Sequence, residues 1–431
     1  MKHHYLRLLT TVGILLGSIH VEAQYTSVAQ LSAGNDTTLG CNVNCFTLHS
    51  SLTDIKGTTT YLIDSSLSYS GNYGFNITGA TSLASVDEIY SGAITLPFDF
   101  CYYGNAYSQI TIGTNGAINF GSSNAYQMNS GLFTNSIPSS EYPAATIMAA
   151  LQDLDITAGG DIHYIVSGSA PNRKLIINYY QVPQQACTTQ TVTFQVVLYE
   201  TTNVIELYID DKPICTNQNT GNAISGLQKD STTATVLPGK NNTNWGSNNM
   251  NKAYRFIPNG TSSASSVRLN DISGTLLATT AGTGSGGTLS ADFTSTCLTA
   301  NSNTYVVSVT YYNCLGDSTI VSDTMTAHKT VVALPVPNSP IYYCQGATSP
   351  SQVSATGTGL KWYSTLTGGT GSTTAPTPST AATGTFKFYV SQTISGCESL
   401  RDSVVVTVGS GNQGYLATSN SPVCLNDTIN L

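Results

Sequence analysis

Charge is what this chain has least of. Asp, Glu, Lys and Arg make up 9% of its 431 residues, against about 25% in ordinary soluble domains. With 15 basic and 23 acidic residues and a net charge of −8, it has no basic stripe to neutralise phosphates. That excludes a nucleic-acid partner. Histidine is scarce too: beyond the first 23 residues only His49, His163 and His328 remain. Tryptophan is limited to Trp245 and Trp362. Helix-forming stretches rich in Ala, Leu, Lys and Glu are nearly absent. After the amino-terminal apolar run no segment offers 18 uninterrupted apolar residues, so no transmembrane helix is expected.

Ser, Thr, Asn, Gln and 39 glycines supply the polarity instead, a mix that favours strands and turns. Hydrophobic residues at 40% suffice for true cores, and the length allows two to four domains. Lys2, His3, His4 and Arg7 precede a short apolar run from Leu8 to Ile19, and Val21-Glu22-Ala23 places small residues at a cleavage site. Residues 1–23 therefore read as a secretory signal, cut before Gln24. Ten cysteines in an exported chain point to disulfides. The expected pairs are Cys187 with Cys215, Cys297 with Cys314, and Cys344 with Cys397. Cys41, Cys45 and Cys101 leave one over, and Cys424 awaits a partner beyond the end. Cys41 and Cys45 also have zinc-ligand character, but no second Cys/His pair stands at finger spacing.

Period-two alternation marks the strands. Ile110 and Ile112, then Ile118 and Phe120, flank Asn115-Gly116, a hairpin signal whose two turn positions both call for positive φ. Val192, Phe194, Val196 and Leu198 form one inward face. Ile205, Leu207 and Ile209 form the next, with Glu206 and Tyr208 outward. Lys174 to Tyr180 is another strand. The expected fold is all-β: tandem antiparallel β-sandwich modules, a larger front sandwich and then smaller ones. The expected divisions are 24–92 as an amino-terminal β-region or lead-in, 93–258 as the large sandwich, and 259–332 and 333–408 as smaller modules. Residues 409–431 are a linker and the start of a truncated module. The last division rests on a repeat: Asn338-Ser339-Pro340, with Cys344 behind it, returns as Asn420-Ser421-Pro422 with Cys424 behind it.

Two resemblances follow from particular motifs. The run Ile94-Thr95-Leu96-Pro97-Phe98-Asp99-Phe100-Cys101-Tyr102-Tyr103-Gly104, with Thr114-Asn115-Gly116-Ala117-Ile118-Asn119-Phe120, resembles the start of a nidogen-like extracellular domain. Ala150-Leu151-Gln152-Asp153-Leu154-Asp155, Gly159 to Tyr164, Ala170 to Arg173 and Thr193 to Glu200 are similar to later parts of that domain. Ala149-Ala150-Leu151 lacks the Trp usual there. Residues 338–408 resemble the Ig-like modules of Bacteroidota surface proteins, on Cys344, Trp362-Tyr363, Gly368-Gly369, Ala375-Pro376-Thr377 and Gly396-Cys397-Glu398. In that setting an export or sorting tail lies past Leu431.

Chemistry is thin. Asp153, Asp155 and Asp161 could hold calcium through alternating carboxylates, or could serve as turn residues before Ala158-Gly159-Gly160; no EF-hand loop is present. Glu200, Glu206, Asp210 and Asp211 read as solvated groups, not a glycosidase pair. His163 reads as a structural or exposed histidine, and no Gly-x-Ser-x-Gly elbow exists. Gly282 to Gly287 reads as a hairpin loop without the lysine of a phosphate loop. Trp362 suits a core. Trp245, among Asn241, Asn242, Asn244 and Asn248, could stack on a glycan. The sequence therefore predicts a secreted or cell-surface, adhesin-like, non-catalytic protein without a cofactor. Its front domain meets an extracellular glycan or protein, and its Ig-like modules act as spacers. Two alternatives are the non-catalytic part of a polysaccharide-degrading enzyme and a purely structural matrix component.

Overall fold

The computed structural model describes residues 26–128 and 133–410. The expected signal at 1–23, most of the 409–431 segment and Cys424 lie outside the described residues. Among them every regular element is a strand apart from three single-turn 3-10 helices, as the alternation implied.

The front body is a sandwich of two antiparallel sheets. One runs in the order Tyr61–Asp64, Lys252–Pro258, Ile205–Asp211, Cys187–Tyr199, Lys174–Gln184, Asp161–Ser167, Thr81–Ser82. The other runs Ala234–Asn244, Asn222–Gln228, Thr146–Leu151, Ala117–Phe120, Asn105–Ile112, Ile94–Tyr102. The alternating faces meet as the pattern required: Leu198, Val196 and Phe194 pair across with Ile205, Leu207 and Ile209. All six point into one core with Phe100, Ile118 and Tyr179. Each such side chain contributes about 1.5–3 kcal/mol by leaving water.

The Asn115-Gly116 turn forms, but only Gly116 takes positive φ, at 87°. Asn115 is held otherwise because it is fully buried. Its carbonyl accepts from Gln152 N and its Oδ1 from Leu154 N at 2.7 Å.

The other face of the seven-stranded sheet departs from the one-sided reading. Glu206 and Tyr208 are not solvated; both are 2% exposed. A second apolar layer covers them: Val28 from the amino terminus, and Leu67, Tyr69, Tyr73, Phe75 and Ile77 from the segment after the first strand. The alternation was correct, but both faces of the sheet are buried.

A second sandwich is assembled from two distant stretches. Leu31–Ser32, Cys45–Thr53 and Thr288–Cys297 make one sheet. Leu276–Thr280, Val267–Asp271, Ser302–Tyr312, Ser318–Lys329 and Thr37–Leu39 make the other. Leu48 and Leu52 from the front of the chain share a core with Phe293, Val307 and Tyr311. Residues 31–53 thus complete a body that resumes at 267, and the front body is inserted between them. The two crossing strands form a ribbon: Gly57 N donates to Thr261 O and Gly260 N to Gly57 O, each at 2.7 Å. A Cβ at Gly260 would sit 2.6 Å from the Gly57 carbonyl oxygen, so this approach requires glycine.

The third body carries the sheet Ile341–Cys344, Asp402–Gly409, Gly384–Ser391, Lys361–Tyr363. Trp362 packs there against Val390, Val404 and Val406, in the core role expected of it.

The cysteines correct two of the three expected pairs. Cys187–Cys215 forms. Cys297 bonds Cys45, its direct cross-strand partner, and not Cys314. Cys314, in the turn after Ser302–Tyr312, bonds Cys101 of the front body. Cys397 bonds Cys41 and not Cys344, which is itself disulfide-bonded. Nearness in sequence misled because the partners lie on different bodies.

Candidate functional site

The three aspartates singled out by the sequence are each engaged locally. Asp155 caps the single turn Ile156–Ala158, where its Oδ1 accepts from Thr157 N at 2.9 Å and Ala158 N at 3.2 Å. Asp161 Oδ2 accepts from Ser82 Oγ at 3.0 Å and lies 2.7 Å from His163 Nδ1. Asp153 is buried and accepts from the Gln218 side-chain amide. Burial, and then the neighbouring Asp87 carboxylate, raise its carboxyl above the usual range. Among the described residues no three His, Cys, Asp or Glu groups come together to hold a metal ion. The expected calcium set is therefore not assembled: alternating positions send the three carboxylates to three separate partners.

His163 is 2% exposed. Its Nε2 lies 3.1 Å from the Asn178 amide nitrogen, which donates to it. That fixes the tautomer: Nδ1 carries the proton and donates to Asp161. The relay continues, since Asn178 Oδ1 accepts from Gln195 Nε2 at 2.8 Å. Gln195 in turn accepts from Tyr73 N and donates to the Gly74 carbonyl. The network pins the 67–77 segment onto the sheet. Ser82 reaches the carboxylate, not the imidazole, so no nucleophile–base pair is formed.

Two ionisable groups are buried with polar partners: Glu206, which the alternation places outward in solvent, and Lys212, which no strong sequence pattern marks. Glu206 accepts from Ser27 Oγ at 2.5 Å and Arg255 Nε at 2.9 Å on one oxygen. On the other it accepts from Tyr199 and Tyr208 hydroxyls at 2.5 and 2.8 Å. Arg255 also reaches Asp64 at 3.4 Å. Four donors satisfy the carboxylate, and burial followed by its charge pushes both tyrosines up. Ser27 makes this cluster a latch for the amino-terminal strap, aided by Thr202 Oγ1 donating to Ser27 O at 2.7 Å.

Lys212 is fully buried. Its Nζ donates to Trp245 O at 2.9 Å and stands 4.6 Å from the centre of the Trp245 ring. Burial, and then Lys240, lower it to about 7. Trp245 itself is 7% exposed and its Nε1 donates to Ala223 O at 2.9 Å. This corrects the expected glycan platform: the ring turns into the core, and Asn241, Asn242 and Asn244 bond backbone carbonyls of Ile137, Thr134 and Thr220. Only the partners in space, not the polar neighbours in sequence, reveal this.

An open groove of about 610 Å³ lies in the inserted-into sandwich, between Leu31, Ser32 and Ser51 on one side and Val321 and Asp323 on the other. Asp323 is already occupied, accepting from Ala33 N at 2.9 Å.

Residues 65–265 match the NIDO-related family and residues 333–409 match the Ig-like domain described as CHU_C associated. The chain carries a NIDO-related domain followed by an Ig-like domain. The NIDO-related match begins just after the strand Tyr61–Asp64 and ends just past the Gly57–Gly260 ribbon. No curated protein matches the chain. Among solved structures, mouse clustered PcdhgC3 EC1-3 is 11% identical over 51% of this chain and 77% of that one, with a TM-score of 0.14. The protocadherin GammaB4 extracellular domain is 10% identical over 86% and 55%, with a TM-score of 0.19. Likenesses this weak carry no argument. Among the described residues no helix is long and apolar enough to cross a membrane.

Proposed function

We propose that this chain is an extracellular, adhesion-type protein without catalysis of its own, in which the NIDO-related domain meets a glycan or protein ligand and the other bodies hold it away from its anchorage. One observation carries the reading: Cys101–Cys314 and Cys41–Cys397 join separate β-bodies covalently. Such bonds form and persist outside the reducing cytosol. A low-charge, Thr- and Asn-rich surface is in keeping with a rigid display protein.

Ligand contact falls to the loops of the NIDO-related domain, because its sheet edges are blunted. At one edge of the six-stranded sheet, Pro97 sits within a register break between Thr95 and Phe100. At the other, Ala234–Asn244 is broken by register shifts opposite Ile224 and carries Lys240. The edges of the seven-stranded sheet are only four and two residues long. Proline, lysine, bulges and short edges all oppose strand addition.

The test is binding of the oxidised full chain to a glycan array and to a panel of extracellular-matrix proteins, with and without EDTA. Saturable binding lost when residues 61–258 are replaced by a short linker that keeps the Gly57–Gly260 ribbon supports the reading. Binding to neither panel, or hydrolysis of an array glycan, sinks it.

A further inference from the structure

Three of the disulfides lie in series. Cys101, at the end of the NIDO-related strand Ile94–Tyr102, bonds Cys314. From Cys314 the strand Ser302–Tyr312 leads back to Cys297, which bonds Cys45. Four residues away Cys41 bonds Cys397 of the Ig-like domain. From Cys397 the chain runs through Asp402–Gly409 to the domain's exit.

We infer that this relay is a load path, which lets tension pass from the NIDO-related domain to whatever follows the Ig-like domain through four short covalent segments and leaves the rest of each body off the route. The idea takes its direction of load from the adhesion reading, but the relay itself does not depend on it.

The lengths are decisive. From the exposed Gly104 turn the covalent route takes three residues to Cys101, seventeen from Cys314 to Cys297, four from Cys45 to Cys41, and twelve from Cys397 to Gly409. That is about 36 residue steps, or about 150 Å fully extended with the three bridges included. The main chain between the same two points takes about 305 steps, or about 1,100 Å. Pulled from these ends, the oxidised protein can yield only the four segments on the route: 101–104, 297–314 with the strand Ser302–Tyr312, 41–45, and 397–409 with the strand Asp402–Gly409. Of the first core only Tyr102 and Tyr103 lie on the route, and Phe100, Val196 and Ile209 lie off it. A disulfide that closed each body separately would leave the junctions exposed. Here two of the three bonds cross junctions, and the third, Cys45–Cys297, connects them.

Single-molecule force spectroscopy on the full chain tests this. One handle is a ligation tag inserted after Gly104, where no atom lies within 4 Å of an added Cβ. The other sits at the carboxy terminus, and the tail adds equally to every trace. The oxidised protein should stop extending near 150 Å, and dithiothreitol should release it to about 1,100 Å. The double variant C45A/C297A breaks only the middle link, so the shortest route becomes the main chain from Gly104 to Cys41 and then Cys397 to Gly409. The limit should move to about 270 Å. Extension of the oxidised protein beyond about 300 Å, or a C45A/C297A trace like that of the parent, overturns the inference. Peptide mapping of the untreated chain without reductant guards against a variant that fails to fold: all three cross-linked peptides must appear, and any other pairing also overturns it. Neither measurement involves a ligand, so failure of the adhesion reading would show separately, in the binding panels.

Discussion

Replacing Lys212 with methionine should remove a pH dependence that the parent protein shows. In the folded chain burial lowers this lysine from 10.5 to about 7. Between those values the unfolded chain holds the proton and the folded chain does not, so stability rises with pH. Below pH 7 both states are protonated and the folded state carries the full desolvation cost. The whole displacement corresponds to about 5 kcal/mol. The Trp245 carbonyl and ring face favour the cation and offset part of that. We therefore expect a gain of about 2–3 kcal/mol between pH 7 and 9.5. The window closes there because the buried tyrosines Tyr61, Tyr102 and Tyr179 are raised well above 10. Their contribution is present below the unfolded tyrosine value and is lost above it. Trp245 and Trp362 are the two tryptophans, so in a W362F background fluorescence reports on the Lys212 neighbourhood itself. Urea midpoints of the oxidised protein at pH 6, 7, 8, 9 and 9.5 should climb for the parent and much less for K212M, where Lys240, lowered by burial and then by Lys252, leaves a smaller rise. A level parent curve, or a climb in K212M as steep as the parent's, refutes the reasoning.

Other perturbations read out the remaining features. E206A strands two buried tyrosine hydroxyls and removes one of the carboxylates that Arg255 meets, and should cost about 3–5 kcal/mol; E206Q should cost less, and limited proteolysis should show the amino-terminal strap released in E206A first. C187A/C215A opens a loop with sequence separation 28, so the NIDO-related domain should lose about 3 kcal/mol by urea denaturation while its relay stays intact. Calcium at 1 mM should leave the melting temperature unchanged in scanning calorimetry, and a rise of several degrees would restore Asp153, Asp155 and Asp161 as ligands.

What the sequence made legible was local. The hairpin around Gly116 and the strands Cys187–Tyr199 and Ile205–Asp211 follow from alternation over a few residues, and each is where the pattern put it. Pairing of Cys45–Thr53 with Thr288–Cys297 is not written in any local pattern, because the complementarity exists only across an intervening domain. The same distance hid the partners of Cys41, Cys45 and Cys101. Glu206 and Tyr208 were misplaced for a different reason. A period of two says which residues share a face, but not whether something else covers the other face. The layer that covers it comes from residues 67–77, whose own spacing is irregular. Trp245 was misjudged from its asparagine neighbours, although a Trp offers a large apolar area for burial and an N–H that needs one acceptor. Lys212 carried a weak signal: a lone lysine directly before Pro213, at the end of a strand whose alternate residues are all apolar.

The insertion imposes an order of assembly. Cys45–Thr53 has its sheet neighbour in Thr288–Cys297, so it must wait for more than two hundred residues before its edge is covered. The NIDO-related domain contains all of its own strands between Tyr61 and Pro258 and can condense first. Its two ends then leave side by side through the Gly57–Gly260 crossing, which holds the waiting strand beside the place where its partner will arrive. The guest thus acts as the template on which its host closes.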